Sequence, residues 1–205
     1  MTADPGLLAV RRGPLTGALA AGSAQTVAVR DVPGRTLVEL RVATNQDGSG
    51  AVESALGFDL PAAGHTSRDG QQLAVWLGPG WWLLDAPAAT GPRTLEAPLV
   101  HRLRDSGGEL SAVEVSAGFA VLELSGPRAP AVLAHGCSID LHPRVFGRGR
   151  SARTMLAKAQ VVFALTDDAP TYRIWVRSSF ARYLVAWLLD AATEYLCEDP
   201  TRSSG

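Results

Sequence analysis

Only one stretch of the sequence brings together side chains that could bind a metal or attack a substrate, the run holding His135, Cys137 and His142. Zinc asks for three or four such donors converging on one point. This set straddles a helix end and a loop, and it reads instead as a helix C-cap with a buried thiol, since free cysteine is usually a small core hydrophobe. Cys137 beside a histidine could also form a nucleophile–base pair, but no Gly-x-Ser-x-Gly elbow supports a hydrolase reading. The string Gly147-Arg148-Gly149-Arg150 lacks the third glycine and the preceding strand of a dinucleotide fingerprint, and there is no Walker-type phosphate loop. Asp167-Asp168 fall in a turn, where aspartate bonds its own backbone. Catalytic, cofactor-binding and metal-ligating residues are therefore expected to be absent from this chain.

Two features remain. Arg144, Arg148, Arg150 and Arg153 surround Phe146 in one loop. Guanidinium forks grip carboxylates and phosphates, and interfaces are enriched in arginine. This loop is an anion or partner contact, or else a solvated loop. Trp76, Trp81 and Trp82 form the second cluster. Trp82 is expected to point inward with Leu84, leaving Trp81 on the opposite face or at a hairpin tip, either as an interface anchor or packed in the domain's own core. The candidate partner interface is thus Trp81, Arg144, Phe146, Arg148 and Arg150.

The elements that must position these residues follow from periodicity. Val38, Leu40 and Val42 alternate with Glu39 and Arg41 in a strand beginning near Thr36. A loop over Asn45–Gly50 and a short helix, Ala51–Leu56, come next, with Gly57 at the helix end. Leu73–Leu77 and Trp82–Ala86 form a hairpin around Gly78-Pro79-Gly80, and Leu95–Arg104 is helical. The order then repeats. Phe119–Leu124 is a strand, and Pro127–His135 a helix with prolines in its first turn. A loop spans Ser138–Arg153, and Met155–Leu165 and Tyr172–Arg177 form a second hairpin. Ser179 then caps a long helix with Phe180, Tyr183, Leu184, Trp187, Leu188, Ala191, Ala192 and Tyr195 on one stripe.

The expected fold is α+β, with two related strand–helix–hairpin–helix halves of mainly antiparallel sheet, each sheet covered by helices on one face. Residues 1–25 read as a flexible arm, 26–197 as the domain (halves about 26–110 and 111–197), and 198–205 as a tail. Duplication requires the two halves to share a strand order.

Composition narrows the function classes. Of the 205 residues, 46% are hydrophobic and 19% charged, with a formal net charge of −1. That is globular rather than disordered, and it offers no general attraction to nucleic acid or anionic membrane. No stretch is long and apolar enough to span a bilayer. Two cysteines, Cys137 and Cys197, cannot build a disulfide framework and read as reduced cytosolic thiols. On these grounds the chain is a binding or assembly subunit rather than a self-sufficient enzyme.

Four strings in order carry a family resemblance: Trp76-Leu77-Gly78-Pro79 leading to Trp82-Leu83-Leu84, Leu124-Ser125-Gly126-Pro127-Arg128-Ala129, Gly136-Cys137-Ser138-Ile139-Asp140-Leu141-His142-Pro143-Arg144, and Tyr172-Arg173-Ile174-Trp175-Val176-Arg177-Ser178-Ser179-Phe180-Ala181. Across residues 30–195 they resemble the gamma subunits of heterotetrameric sarcosine oxidase. The resemblance implies an aminomethyltransferase-like, folate-binding-related fold. It also implies a cytoplasmic complex with alpha, beta and delta subunits, the alpha subunit being the most direct partner. That complex oxidatively demethylates sarcosine to glycine, makes hydrogen peroxide and passes the one-carbon unit to tetrahydrofolate. FAD, FMN, NAD and zinc would belong to the other chains. The gamma chain would be a non-catalytic accessory. The alternative is a stand-alone tetrahydrofolate-binding protein of one-carbon metabolism. The chain departs from the family pattern at Gly80-Trp81, where an acidic pair is usual, at Glu114-Val115-Ser116, where Asp-Val-Ser is usual, and in the more basic loop Gly147–Arg153.

Overall fold

The computed structural model describes Leu15 and residues 20–23, 25–43, 48–88 and 110–196. These form two antiparallel sheets. The six-stranded sheet runs β1 (Ala20–Ser23), β2 (Val27–Asp31), β8 (Phe119–Ser125), β11 (Thr171–Arg177), β10 (Ala159–Asp167) and β9 (Ser151–Leu156). The five-stranded sheet runs β4 (Thr66–Asp69), β5 (Gln72–Gly78), β6 (Trp81–Pro87), β3 (Arg35–Val42) and β7 (Leu110–Glu114). The described helices are α1 (Gly48–Leu56), α2 (Ala129–Ala134) and α3 (Ala181–Leu196).

Alternation along the strands sorts the apolar side chains into three layers of core. Val38, Leu40, Val42, Ala74 and Leu84 pack with Val52 of α1 on the outer face of the smaller sheet. Leu122, Leu124, Phe163, Tyr172 and Ile174 pack with Leu133 of α2 and Leu184 and Leu188 of α3 on the outer face of the larger one. Between the sheets lie Leu37, Leu73, Val75, Leu83, Val121, Val162, Ala164 and Trp175. The result is helix, sheet, sheet, helix. Trp175 is fully buried in the middle layer; at about 25 cal/mol per Å² over roughly 150–250 Å², that ring alone contributes roughly 4–6 kcal/mol of transfer free energy.

The halves share a strand order: β3-β6-β5-β4 in one and β8-β11-β10-β9 in the other. Their registers correspond too, with Val38 opposite Leu84 in the first and Leu122 opposite Ile174 in the second. The duplicated architecture expected from sequence is present, with one addition. The strand before each half crosses to the other sheet. β2 precedes β3 but pairs with β8, Arg30 opposite Glu123. β7 precedes β8 but pairs with β3, Val38 opposite Glu114.

Several local readings change. Each expected hairpin is a three-stranded meander, because β4 joins the first and β9 the second. The strand expected over Met155–Leu165 is two strands that turn at Ala157-Lys158, with Ala157 at φ 51°. Core-facing residues on both sides of that turn hid it. β9 also starts at Ser151, inside the stretch read as a loop. β1 and the buried Leu15 fall inside the stretch read as an arm; its Gly and Ala residues carry no side-chain period. α1 begins at Gly48, earlier than Ala51. Ser179 lies in a 3-10 turn, Ser178–Phe180, that leads into α3. The buried stripe of α3 is Ala181, Leu184, Val185, Leu188 and Ala192, whereas Phe180 and Tyr183 are exposed. The expected helix Leu95–Arg104 and the tail 198–205 lie outside the described residues.

Candidate functional site

The loop between α2 and β9 spreads its arginines rather than gathering them. Arg144 is exposed, its backbone N–H bonding His142 Nδ1 at 3.3 Å in a local turn. Arg148 is exposed and faces Asp168 across 3.6 Å, a surface pair of small energetic weight. Arg150 instead ties the two sheets together: its Nη1 donates to His65 Nε2 at 3.1 Å, and the two residues form a short β-bridge. Ser151 Oγ adds a bond to the His65 carbonyl at 3.0 Å. Phe146 leaves the candidate interface. It is 3% exposed and packs on Phe163 and Tyr172, with ring centroids 5.1 and 6.4 Å away. Its apolar ring is core, which its arginine-rich surroundings in the sequence concealed.

Trp82 faces α1 with Leu84, as its alternation predicts, and its Nε1 donates to the Pro61 carbonyl at 3.1 Å. Trp81 points the other way, toward the larger sheet, at the open end of the interlayer space. It is half-buried, and two guanidiniums flank its ring: Arg41 at 4.2 Å and Arg153 at 4.7 Å from the centroid. Arg41 is the cross-strand neighbour of Trp81 on β3. Arg153 reaches over from β9 of the other sheet. A cavity of about 40 Å³ beside them is lined by Trp81, Arg153, Phe119, Gln160, Trp175 and Arg177, among others. Trp81 Nε1 is buried and has no acceptor among the described residues. Arg177 lies over Phe119 at 4.4 Å. Around the hairpin tip a wider groove of about 520 Å³ is bordered by Arg41, Val42, Pro79, Trp81 and Leu110.

Deeper between the sheets is a charged network that the sequence did not suggest. Asp85, 1% exposed, accepts from Arg35 Nε at 2.6 Å and from Trp175 Nε1 at 3.0 Å. Arg173 lies 3.5 Å from Asp85 and 3.7 Å from Glu123, and Arg30 completes the chain on Glu123. Asp85 sits in an alternating strand, Trp81–Pro87, on the face toward the other sheet. An acid at an inward position was the available signal. The network joins the layers.

His135, Cys137 and His142 do not converge. His135 Nε2 lies 3.1 Å from Glu194 Oε1 at the surface, where hydrogen bonds from Tyr195 and then His135 hold the Glu194 carboxyl below its usual range. His142 serves the turn already described, and Cys137 packs on the helical core cluster. Burial pushes the Cys137 thiol up, away from the thiolate that a nucleophile or metal ligand needs. Burial also pushes the Tyr172 hydroxyl up to about 12. Among the described residues there is no group of three His, Cys, Asp or Glu able to hold a metal ion, and no helix is long and apolar enough to cross a membrane.

The described surface therefore offers contact area and arginine–aromatic stacks, and comparison with known proteins says which lineage this arrangement comes from. The family model of the sarcosine oxidase gamma subunit matches residues 40–194. The chain belongs to the sarcosine oxidase gamma subunit family. Sarcosine oxidase subunit gamma of Corynebacterium sp. (strain P-1) is 40% identical over 195 residues, covering 92% of this chain and 93% of the relative. Its counterpart from Arthrobacter sp. is 38% identical over 192 residues, covering 91% and 92%. Among solved structures, heterotetrameric sarcosine oxidase from Corynebacterium sp. U-96 matches with TM-score 0.75 and 33% identity, over 88% of this chain and 90% of that one. Aminomethyltransferase T of the glycine cleavage system from Bartonella henselae matches with TM-score 0.60 and 17% identity, over 80% of this chain and 46% of that one. That last likeness is one of fold alone, and it agrees with the expected aminomethyltransferase-like architecture.

Proposed function

We propose that the chain is a non-catalytic accessory subunit of a cytoplasmic sarcosine oxidase complex, packing on the alpha subunit alongside beta and delta subunits. The complex oxidatively demethylates sarcosine to glycine with formation of hydrogen peroxide, and passes the one-carbon unit to tetrahydrofolate. The other chains carry the FAD, FMN, NAD and zinc. The observation that carries this reading is the near full-length match to gamma subunits, 40% identity over 92% of the chain. It fits the chemistry of the described residues: arginine–aromatic stacks at the surface and a thiol raised by burial. The subunit's physical task is to bury a broad face against a larger neighbour, more than about 1,200 Å² for a stable assembly. Co-expression with the other three chains tests it. The chain should stay bound through high salt and size exclusion. Elution as a lone monomer, or turnover of sarcosine by the isolated chain, refutes the reading.

A further inference from the structure

The open end of the interlayer space holds more positive charge than its surroundings balance. Phe119, Gln160 and Arg177 stand two residues before Val121, two before Val162 and two after Trp175 on their strands. They therefore share the face that carries those core residues between the sheets. Arg153 of β9 lines the same cavity. The β5–β6 hairpin turns just before Trp81, and these side chains form a shelf beside its ring. Three guanidiniums gather there, those of Arg41, Arg153 and Arg177. Among the described residues one carboxylate answers them: Glu39, which takes both Arg41 Nε and Nη2 at 3.1 Å. Arg153 and Arg177 pair with no carboxylate among the described residues. Each is held instead over a ring, Arg153 over Trp81 and Arg177 over Phe119. On a chain of net charge −1, this is a local concentration of charge opposite in sign to the whole.

We infer that this shelf docks an acidic segment of a partner chain in the complex, one that presents at least two carboxylates to Arg153 and Arg177 while packing against Trp81. The inference rests on the subunit reading above and names the chemistry of the contact. Stacking on the aromatic rings fixes the guanidinium planes before binding, so little side-chain freedom is lost when a carboxylate meets each fork. Charge complementarity selects an acidic occupant. Met155, 48% exposed on the same face of β9, adds apolar area at the edge. Centrally placed tryptophan and arginine are the residue types that dominate binding energy at interfaces.

The test compares the wild-type chain with R153E and R177E in the complex reconstituted from all four chains, with R182E, at an exposed position of α3, as a control away from the shelf. Affinity is followed by titration at low and high salt. Each shelf reversal should weaken assembly at least tenfold and flatten its salt dependence, and R182E should leave both unchanged. R153Q and R177Q, which remove charge without reversing it, should weaken assembly less, with melting temperatures near wild type; they guard against a folding defect. Reversals that assemble with wild-type affinity and salt dependence overturn the inference while leaving the subunit reading intact. A wild-type chain that fails to assemble overturns both. Reversals that alter self-association instead would assign the shelf to a second copy of this chain, and also overturn it.

Discussion

Replacing Asp85 by alanine should loosen the two sheets from one another. The carboxylate is 1% exposed and serves Arg35, Trp175 and Arg173 at 2.6, 3.0 and 3.5 Å. The side chains of Arg35 and Arg173 are only 10% and 13% exposed, so neither can recover full hydration once the acid is gone. Removing one partner of a buried charged pair costs about 3–5 kcal/mol, against about 5–15 kcal/mol for a whole domain. With a urea slope of about 1–3 kcal/mol/M, the unfolding midpoint of the full chain should fall by roughly 1–5 M. Asp85→Asn keeps the shape and one acceptor, so it should fall less. Combined with Trp175→Phe in a double-mutant cycle, Asp85→Ala should reveal a coupling of about 1.5–3 kcal/mol, the range for a hydrogen bond to a charged group. Urea titration followed by tryptophan fluorescence measures all of these. A midpoint shift in Asp85→Ala below roughly 0.3 M, or strict additivity in the cycle, would show that the apolar layer alone joins the sheets.

Stability should also fall at alkaline pH. Because the Tyr172 hydroxyl is raised to about 12 from an ordinary value near 10, the folded state favours its protonated form; that contribution is fully present below about pH 10 and is lost as pH rises toward 12, about 2–3 kcal/mol at about 1.36 kcal/mol per unit. Urea midpoints measured across that range should drop, and Tyr172→Phe should flatten the slope. Gly136→Ala should lower the melting temperature by several degrees, since an added Cβ meets the Trp187 ring at 2.6 Å and the Ala157 amide nitrogen at 3.0 Å, an overpacking worth about 1–3 kcal/mol; an unchanged calorimetric melt would contradict this. With Cys197 replaced by serine, Cys137 should react with iodoacetamide at pH 8 at least tenfold more slowly than a free thiol, because burial raises it, and should match the free thiol in urea.

The parts of the fold that could be read from sequence are those where one strand carries its own pattern and its own stop. Gly78-Pro79-Gly80 ends β5 and releases β6, and the alternation in Val38, Leu40 and Val42 marks β3. The short edge strands had no such pattern. β4 has no buried residue, and β7 has only Ala112, so period-two alternation had almost nothing to register. The crossing of β2 and β7 depends on pairings about as long as a half, which no local window contains. The site divides in the same way. The opposite faces of Trp82 and Trp81 follow from alternation, but the meeting of Arg41, Trp81 and Arg153 is made by two sheets closing on each other. Phe146 was misplaced because its neighbours in the chain are charged while its neighbours in space are Phe163 and Tyr172.

The trade of β2 for β7 makes the molecule an interlock. Until the ribosome has delivered β8, β2 has only β1 to lie against, and β3 lacks its second neighbour until β7 emerges. A cut between the halves would leave β8 without β2 and β3 without β7 unless the two pieces stayed together. The backbone, and not the apolar layer alone, thus stitches the two sheets into one body.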